Sequence, residues 1–300
     1  MLDLSHIPNS QQDVKVFYSN GVTNAWQTWN KPRKCNYVWI MCIGGGGGGG
    51  GGHTYTGTYL AGGSGGGSGA VTRVLYNAQQ LPDTLYVQVG LGGAPGTGSA
   101  GGYVYGQNGF AGTRSWVALQ PTVLAQNIVA GSGATAAAGG PASTGQGLSA
   151  AGEVAIGQAT ATFITLANFI STTGQASPVY TVGNVQPLTS QITCAGATGG
   201  PFSGGGASVL STAFSPILPG GSFETASGSN ATNGANGITS WKPFFSTGGA
   251  GGGNALSGSG GNGGNGGIGC GGGGGGCGAF SSVAGNGGKG GDGLVVIISF

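Results

Sequence analysis

The sequence predicts an all-β protein: a small antiparallel β-sandwich core with long glycine-rich excursions, partly polyproline II, and no substantial helix. Three observations predict it. Short apolar runs of strand character recur along the chain, at 14–18, 37–43 and 294–300. No window combines a helical period with caps. Glycine makes up 74 of the 300 residues, against about 7% in ordinary globular chains, and it is concentrated in tracts between the apolar runs.

The first strand is expected at 14–18 (Val-Lys-Val-Phe-Tyr), ahead of a turn at Asn20-Gly21. Trp26 and Trp29 flank a short strand before Lys31-Pro32. Residues 37–43 (Tyr-Val-Trp-Ile-Met-Cys-Ile) are apolar on both faces, as a central strand is. Residues 70–76 and 84–90 are expected to form a hairpin through Leu81-Pro82-Asp83. The β-branched run 294–300 ends the sequence and is expected beside the first strand in one sheet. Further strands are expected at 161–170 and 191–194.

The excursions between these strands have their own pattern. Residues 44–52 are nine consecutive glycines directly after the central strand. Residues 260–270 repeat Gly-Gly-Asn, Gly-Gly-Asn, Gly-Gly-Ile, a period of three. Three residues per turn is the polyproline II repeat. With two glycines per turn, two faces of such a helix carry no side chain, so neighbouring backbones approach closely and Cα–H···O contacts of ~0.5–1 kcal/mol each help hold a bundle. Collagen is excluded, because it needs a strict proline-rich Gly-X-Y frame and the last proline here is Pro243. Three regions follow: 1–116, with the N-terminal strands and first glycine loops; 117–223, an Ala/Ser/Thr-rich insertion or second lobe; and 224–300, the polyproline II tract and closing strand.

Charged residues are 5% of the chain and the net charge is +2, which leaves no electrostatic footprint for nucleic acid. The one basic cluster, Lys31, Arg33 and Lys34, reads as a solvated turn beside Pro32. Between Ser115 and Ser222 the sole charged residue is Glu153, so that stretch is expected to lie against another subunit or its own glycine layers. The N-terminus lacks the basic and apolar regions of a secretory signal. No apolar run approaches the ~20 residues that span a bilayer. Cytoplasmic synthesis without membrane insertion is the expectation, and Asn230-Ala231-Thr232 is then an incidental sequon.

Chemistry finds little purchase. Two histidines, His6 and His53, and six scattered acidic residues form no sequence-close acid–base pair. Gly62-Gly63-Ser64-Gly65-Gly66 fits the nucleophile-elbow pattern literally but lacks its strand–turn–helix setting. Neither 44–52 nor the Gly-Lys289-Gly-Gly-Asp292 stretch carries the Lys-[Ser/Thr] of a phosphate loop. Cys270 and Cys277 bracket six glycines, too wide for a zinc pair. At ~3.1 Å per residue they lie about 22 Å apart, against the 7 Å limit for a disulfide. These thiols are expected to be free and to act as small buried apolar groups, as are Cys35, Cys42 and Cys194. No catalytic residue, metal or cofactor is expected. Tyr55, Tyr59, Tyr103 and Tyr105 sit within or beside the glycine excursions and form either a contact surface or caps that shield polyproline II ends.

Four stretches in order carry a family likeness: Trp26-Gln-Thr-Trp29-Asn-Lys-Pro32; the strand 37–43 running into 44–52; Leu85-Tyr-Val-Gln-Val-Gly-Leu-Gly-Gly93; and Gly-Gly-Asp292-Gly-Leu-Val-Val-Ile-Ile. In these the chain resembles the glycine-rich domain proteins of bacteriophage virions, over roughly 12–115 and 245–300. The Ala/Ser/Thr-rich middle has no counterpart in that pattern. The resemblance implies a non-enzymatic structural virion protein, a fibre, spike or tail-tip component with a role in host attachment. Its implied partners are other virion proteins and a host receptor or glycan, and by analogy with viral fibres it implies a homotrimer. Decoration of a capsid is the alternative within that class. Ice binding or an extracellular-matrix role is the alternative outside it.

Overall fold

The computed structural model describes residues 13–55, 62–102, 104–124, 127–132, 168–172, 185–186, 196–197, 199, 208–209, 218–226 and 228–300. Its strands are β1 (Asp13–Tyr18), β2 (Trp26–Asn30), β3 (Tyr37–Ile43), β4 (Thr54–Tyr55), β5 (Val71–Asn77), β6 (Thr84–Gln88), β7 (Ser115–Ala118) and β8 (Ile128–Ser132). They continue with β9 (Asn168–Thr172), β10 (Val185–Gln186), β11 (Ser208–Val209), β12 (Thr239–Trp241), β13 (Phe244–Ser246), β14 (Gly278–Ala279) and β15 (Leu294–Ser299). The fold is all-β, and the one helical element described is a 3-10 turn, Ala78–Gln80.

Two antiparallel sheets make the core. One is ordered β1-β15-β3-β5-β9 and the other β2-β6-β7-β8. The first and last strands pair as expected, from Asp13 opposite Ser299 to Tyr18 opposite Leu294. β3 lies at the centre of its sheet, and both its faces are used. Val38, Ile40 and Cys42 join Val295 and Ile297 against Trp29, Leu85, Val87 and Val117 of the second sheet. Met41 and Ile43 pack with Leu294, Val296 and Ile298 on the opposite face. Two side chains bridge the layers: the Tyr76 hydroxyl donates to the Val129 carbonyl at 2.6 Å, and Thr72 Oγ1 donates to the Gly131 carbonyl at 2.7 Å.

The expected hairpin through Leu81-Pro82-Asp83 does not form. β5 pairs with β3 and β9, whereas β6 pairs with β2 and β7. The 3-10 turn carries the chain from one sheet to the other, with Ala78 and Leu81 buried and the Asn77 side chain capping the Gln79 N–H. Val74 and Val87 therefore face each other through the core instead of sitting side by side. The middle of the chain also adds strands to the core: β8 extends the second sheet and β9 closes the first. The strand expected at 191–194 lies outside the described residues, as does 161–167 of the strand expected at 161–170; β9 takes up the end of the latter.

The glycine tracts run straight out of these strands as a second, polyproline II layer. Segment 44–52 donates to three different neighbours, each from every third residue. Gly44, Gly47 and Gly50 donate to Ala70, Gly67 and Ser64; Gly45, Gly48 and Gly51 to Thr113, Phe110 and Gln107; Gly46, Gly49 and Gly52 to Gly291, Gly288 and Gly285. That threefold sorting is the signature of a three-residue helix with a neighbour on each donor face. Segment 270–277 is enclosed more fully. It is hydrogen-bonded to 47–50, 63–66, 249–255, 261–267 and 285–291, and to Ala197. At Gly274 an added Cβ would overlap the Gly63 carbonyl, at Gly275 that of Gly285, and at Gly276 that of Gly253. A segment that meets backbone on every face tolerates glycine alone, which explains six glycines in succession.

At the bundle's surface the rule relaxes, and one residue per turn carries a side chain. Asn233, Asn236, Asn262 and Asn265 accept from the backbone N–H groups of Asn262, Asn265, Asn286 and Lys289 respectively, each at 2.8 Å. Asn286 in turn accepts from Gly98 N–H. Each amide oxygen substitutes for a backbone carbonyl, so the outer polyproline II strands leave fewer N–H groups unpaired. The Gly-Gly-Asn period records this directly: two faces packed, one face forming the ladder.

Candidate functional site

The described glycine strands leave the sandwich and turn back at its far side. The described turns, 53–55, 99–102, 104–105, 224–226, 228–229, 254–258 and 278–283, meet at one tip. β4 pairs in parallel with β14, and Thr54 bridges Val104. Gly102 N–H donates to the Phe280 carbonyl at 2.9 Å, and Ala279 N–H to the Gly258 carbonyl at 3.0 Å. The fully buried Thr54 hydroxyl contacts Ser99 Oγ at 2.7 Å and the Gly102 carbonyl at 2.6 Å. Gly101 and Gly102 turn at φ +118° and +77°, where an L side chain is strained. These bonds fix the loop crossings.

Most of what the crossings present is apolar, beside the exposed Thr225 and Ser281. Val104, Tyr105, Leu256, Phe280 and Val283 are all more than two-fifths exposed. Glu224 is the one Asp, Glu, Lys or Arg among the described tip residues. The Tyr105 ring, 60% exposed, stacks on His53 with centroids 4.8 Å apart and planes inclined by 20°. His53 itself is 7% exposed, and the Cys277 thiol donates to its carbonyl. One face of Tyr105 covers the imidazole, so capping and display coexist in this residue.

Burial holds the His53 imidazole below the usual histidine range. A base with a lowered folded-state pKa is protonated first in the unfolded chain, so the unfolded state binds more protons in that window. Its contribution is therefore full at pH above the ordinary ~6.5 and declines as pH falls through that value towards the folded-state pKa. Thermal unfolding followed at pH 7.5 and pH 5.5 should show a lower midpoint in acid, and His53→Asn should reduce that difference. Identical differences in the two proteins would remove His53 as the cause.

Of the four tyrosines expected either at a contact surface or as caps of polyproline II ends, Tyr105 stands on the tip with its side chain outward, and Tyr55 lies on the tip's backbone in β4. Tyr59 and Tyr103 lie outside the described residues. Sequence reading missed His53, Val104, Leu256, Phe280 and Val283. The available signal was the pair of apolar interruptions in the last glycine tract, Asn-Ala-Leu-Ser at 254–257 and Ala-Phe-Ser-Ser-Val at 279–283.

Other candidate chemistry is consumed by the bundle. Every amide of 44–52 donates to a carbonyl of another segment, so none is free to cradle a phosphate. Ser64 is buried in that bundle with no hydrogen-bond partner for its hydroxyl among the described residues. Cys42, Cys270 and Cys277 are buried thiols outside any disulfide, Cys35 is a half-buried one, and Cys194 is not among the described residues. Among the described residues no group of three His, Cys, Asp or Glu side chains is placed to hold a metal ion, and no helix is long and apolar enough to cross a membrane.

A sandwich whose strands pass directly into a glycine bundle, with turns gathered at its far end, defines a class of β-structural scaffold that presents loops. The chain belongs to the glycine-rich domain family, whose profile matches residues 21–299. No curated protein matches it.

Proposed function

We propose that this chain is a non-enzymatic structural component of a bacteriophage virion, a fibre, spike or tail-tip protein whose bundle tip makes the outward contact during host attachment. The observation that carries this reading is the tip itself. A sparsely charged bundle, braced by interstrand hydrogen bonds, ends in crossed turns that expose Tyr105, Phe280 and three aliphatic side chains. Exposed aromatic groups on fixed loops serve recognition, because they bring contact area with little loss of rotamer freedom. The ordered motifs shared with phage glycine-rich domain proteins favour a virion setting, and membership of the glycine-rich domain family is consistent with it. Other virion proteins are then the partners at the sandwich end, and viral fibres supply the analogy for a homotrimer.

The test is competition. Purified protein added to host cells should block adsorption of the particle that carries it, and Tyr105→Ser combined with Phe280→Ser should weaken that block at least tenfold while leaving the unfolding midpoint within about 2 °C, as expected of exposed positions. Cryo-electron microscopy of the particle supplies the location. Absence of the chain from any particle would overturn the virion reading. Equal competition by the double variant would overturn the assignment of contact to the tip.

A further inference from the structure

The end of the sandwich opposite the bundle holds a cleft of about 510 Å³ between the β2–β3 loop and the 78–83 turn. The sequence reads its basic cluster as a solvated turn, and one member departs from that. Lys31 is held in place: Nζ donates to the Leu81 carbonyl at 2.6 Å and the Ala78 carbonyl at 3.1 Å, and lies 3.3 Å from Asp83 Oδ1. Its side chain is only 18% exposed. Arg33 and Lys34 line the same cleft, are exposed, and form no ion pair among the described residues. Three cations against Asp83 leave a local charge of +2, equal to the net charge of the whole chain. Arg33 and Lys34 thus give this end of the sandwich a local excess of positive charge.

We propose that this cleft is a docking site for an acidic peptide segment of a partner protein. Lys31 spends its donors on neighbouring carbonyls and sets the cleft wall, while Arg33 and Lys34 receive the carboxylates. A planar guanidinium takes a carboxylate in a paired, bidentate geometry. The cleft accommodates one or two side chains, not a polyanion backbone, which needs a stripe of cations along several phosphates. Beside it the Tyr37 and Phe300 rings pack at a tilt of 33° with centroids 5.8 Å apart, and Tyr37 is 46% exposed. That pair gives the peptide an apolar surface to lie on. β1 begins and β15 ends at this same pole, so docking here leaves the tip free. The inference stands whether or not the assembly is a virion.

The experiment titrates hexaglutamate into the full ¹⁵N-labelled chain at low salt. Amide shifts should concentrate in 30–37 and 78–84. Arg33→Glu with Lys34→Glu should weaken binding at least tenfold, while Lys289→Glu, remote from the cleft, should change it less than twofold. Shifts scattered over the surface, or unchanged binding in the double variant, would overturn the proposal. Binding of oligothymidylate to this cleft as tight as that of hexaglutamate would overturn the assignment to acidic peptide. If the double variant fails to fold, the shift map of the unmodified chain decides alone.

Discussion

Gly274→Val should disrupt the glycine bundle. The added Cβ overlaps the carbonyl of Gly63, and a backbone carbonyl cannot swing aside as a flexible side chain can. Gly274 also donates to Ala197 and accepts from Gly252, so any shift that relieves the overlap strains bonds on the other faces. Inserting methylenes into a packed core typically costs 1–3 kcal/mol. Here the neighbours are backbone, and a loss above about 3 kcal/mol is expected, a fall in melting midpoint of roughly 6–12 °C at the usual conversion. The buried Cys270 and Cys277 thiols should then become reactive towards a thiol reagent under native conditions. Lys289→Ala, on the exposed face of a neighbouring segment, is the control and should stay within about 0.5 kcal/mol. If Gly274→Val melts within 2 °C of the parent protein, backbone crowding is not what requires glycine there.

Trp29→Ala should destabilise the sandwich by about 3–5 kcal/mol, the range for deleting a large buried aromatic. Trp29 is 2% exposed and lies in the cluster formed by both sheets. Truncation removes contacts from the second sheet at the point where β2 pairs with β6, Trp29 opposite Leu85. Trp29→Phe should cost clearly less. The indole Nε1 has no hydrogen-bond partner among the described residues, and phenylalanine removes that buried donor along with part of the ring. Urea denaturation of the three proteins measures the ordering. A cost for Trp29→Ala below 1 kcal/mol, or a larger cost for phenylalanine than for alanine, would contradict the packing described.

Much of the core was legible because strand signals are local. Tyr37–Ile43 matched β3 residue for residue, and its two apolar faces correctly implied a central position. The pairing of β1 with β15 followed from the run at each end of the sequence. The β5–β6 connection was misread because a short link containing Pro82 and Asp83 suits a hairpin and a crossover between sheets equally well. Choosing between them requires knowing that Val74 and Val87 share one core. The tip was legible only in part. Tyr105 stands out in sequence as an aromatic among glycines, whereas His53 acquires its burial from a ring 52 residues away.

The sequence by itself determined the all-β class, six strands of the core (β1, β2, β3, β5, β6 and β15) and the period-three character of the Gly-Gly-Asn tract, since each depends on which side chains recur over a few residues. Tertiary structure alone decided which segments surround each glycine strand, why 271–276 carry no side chain at all, and that turns from five parts of the chain meet at one tip. It also decided that Lys31 builds a cleft wall while Arg33 and Lys34 remain open. The physical reason lies in glycine. A residue without a side chain carries no local mark of its neighbour, and the partners of Gly274 are Ala197, Gly252 and Gly63, chosen by long-range hydrogen bonding and close backbone approach.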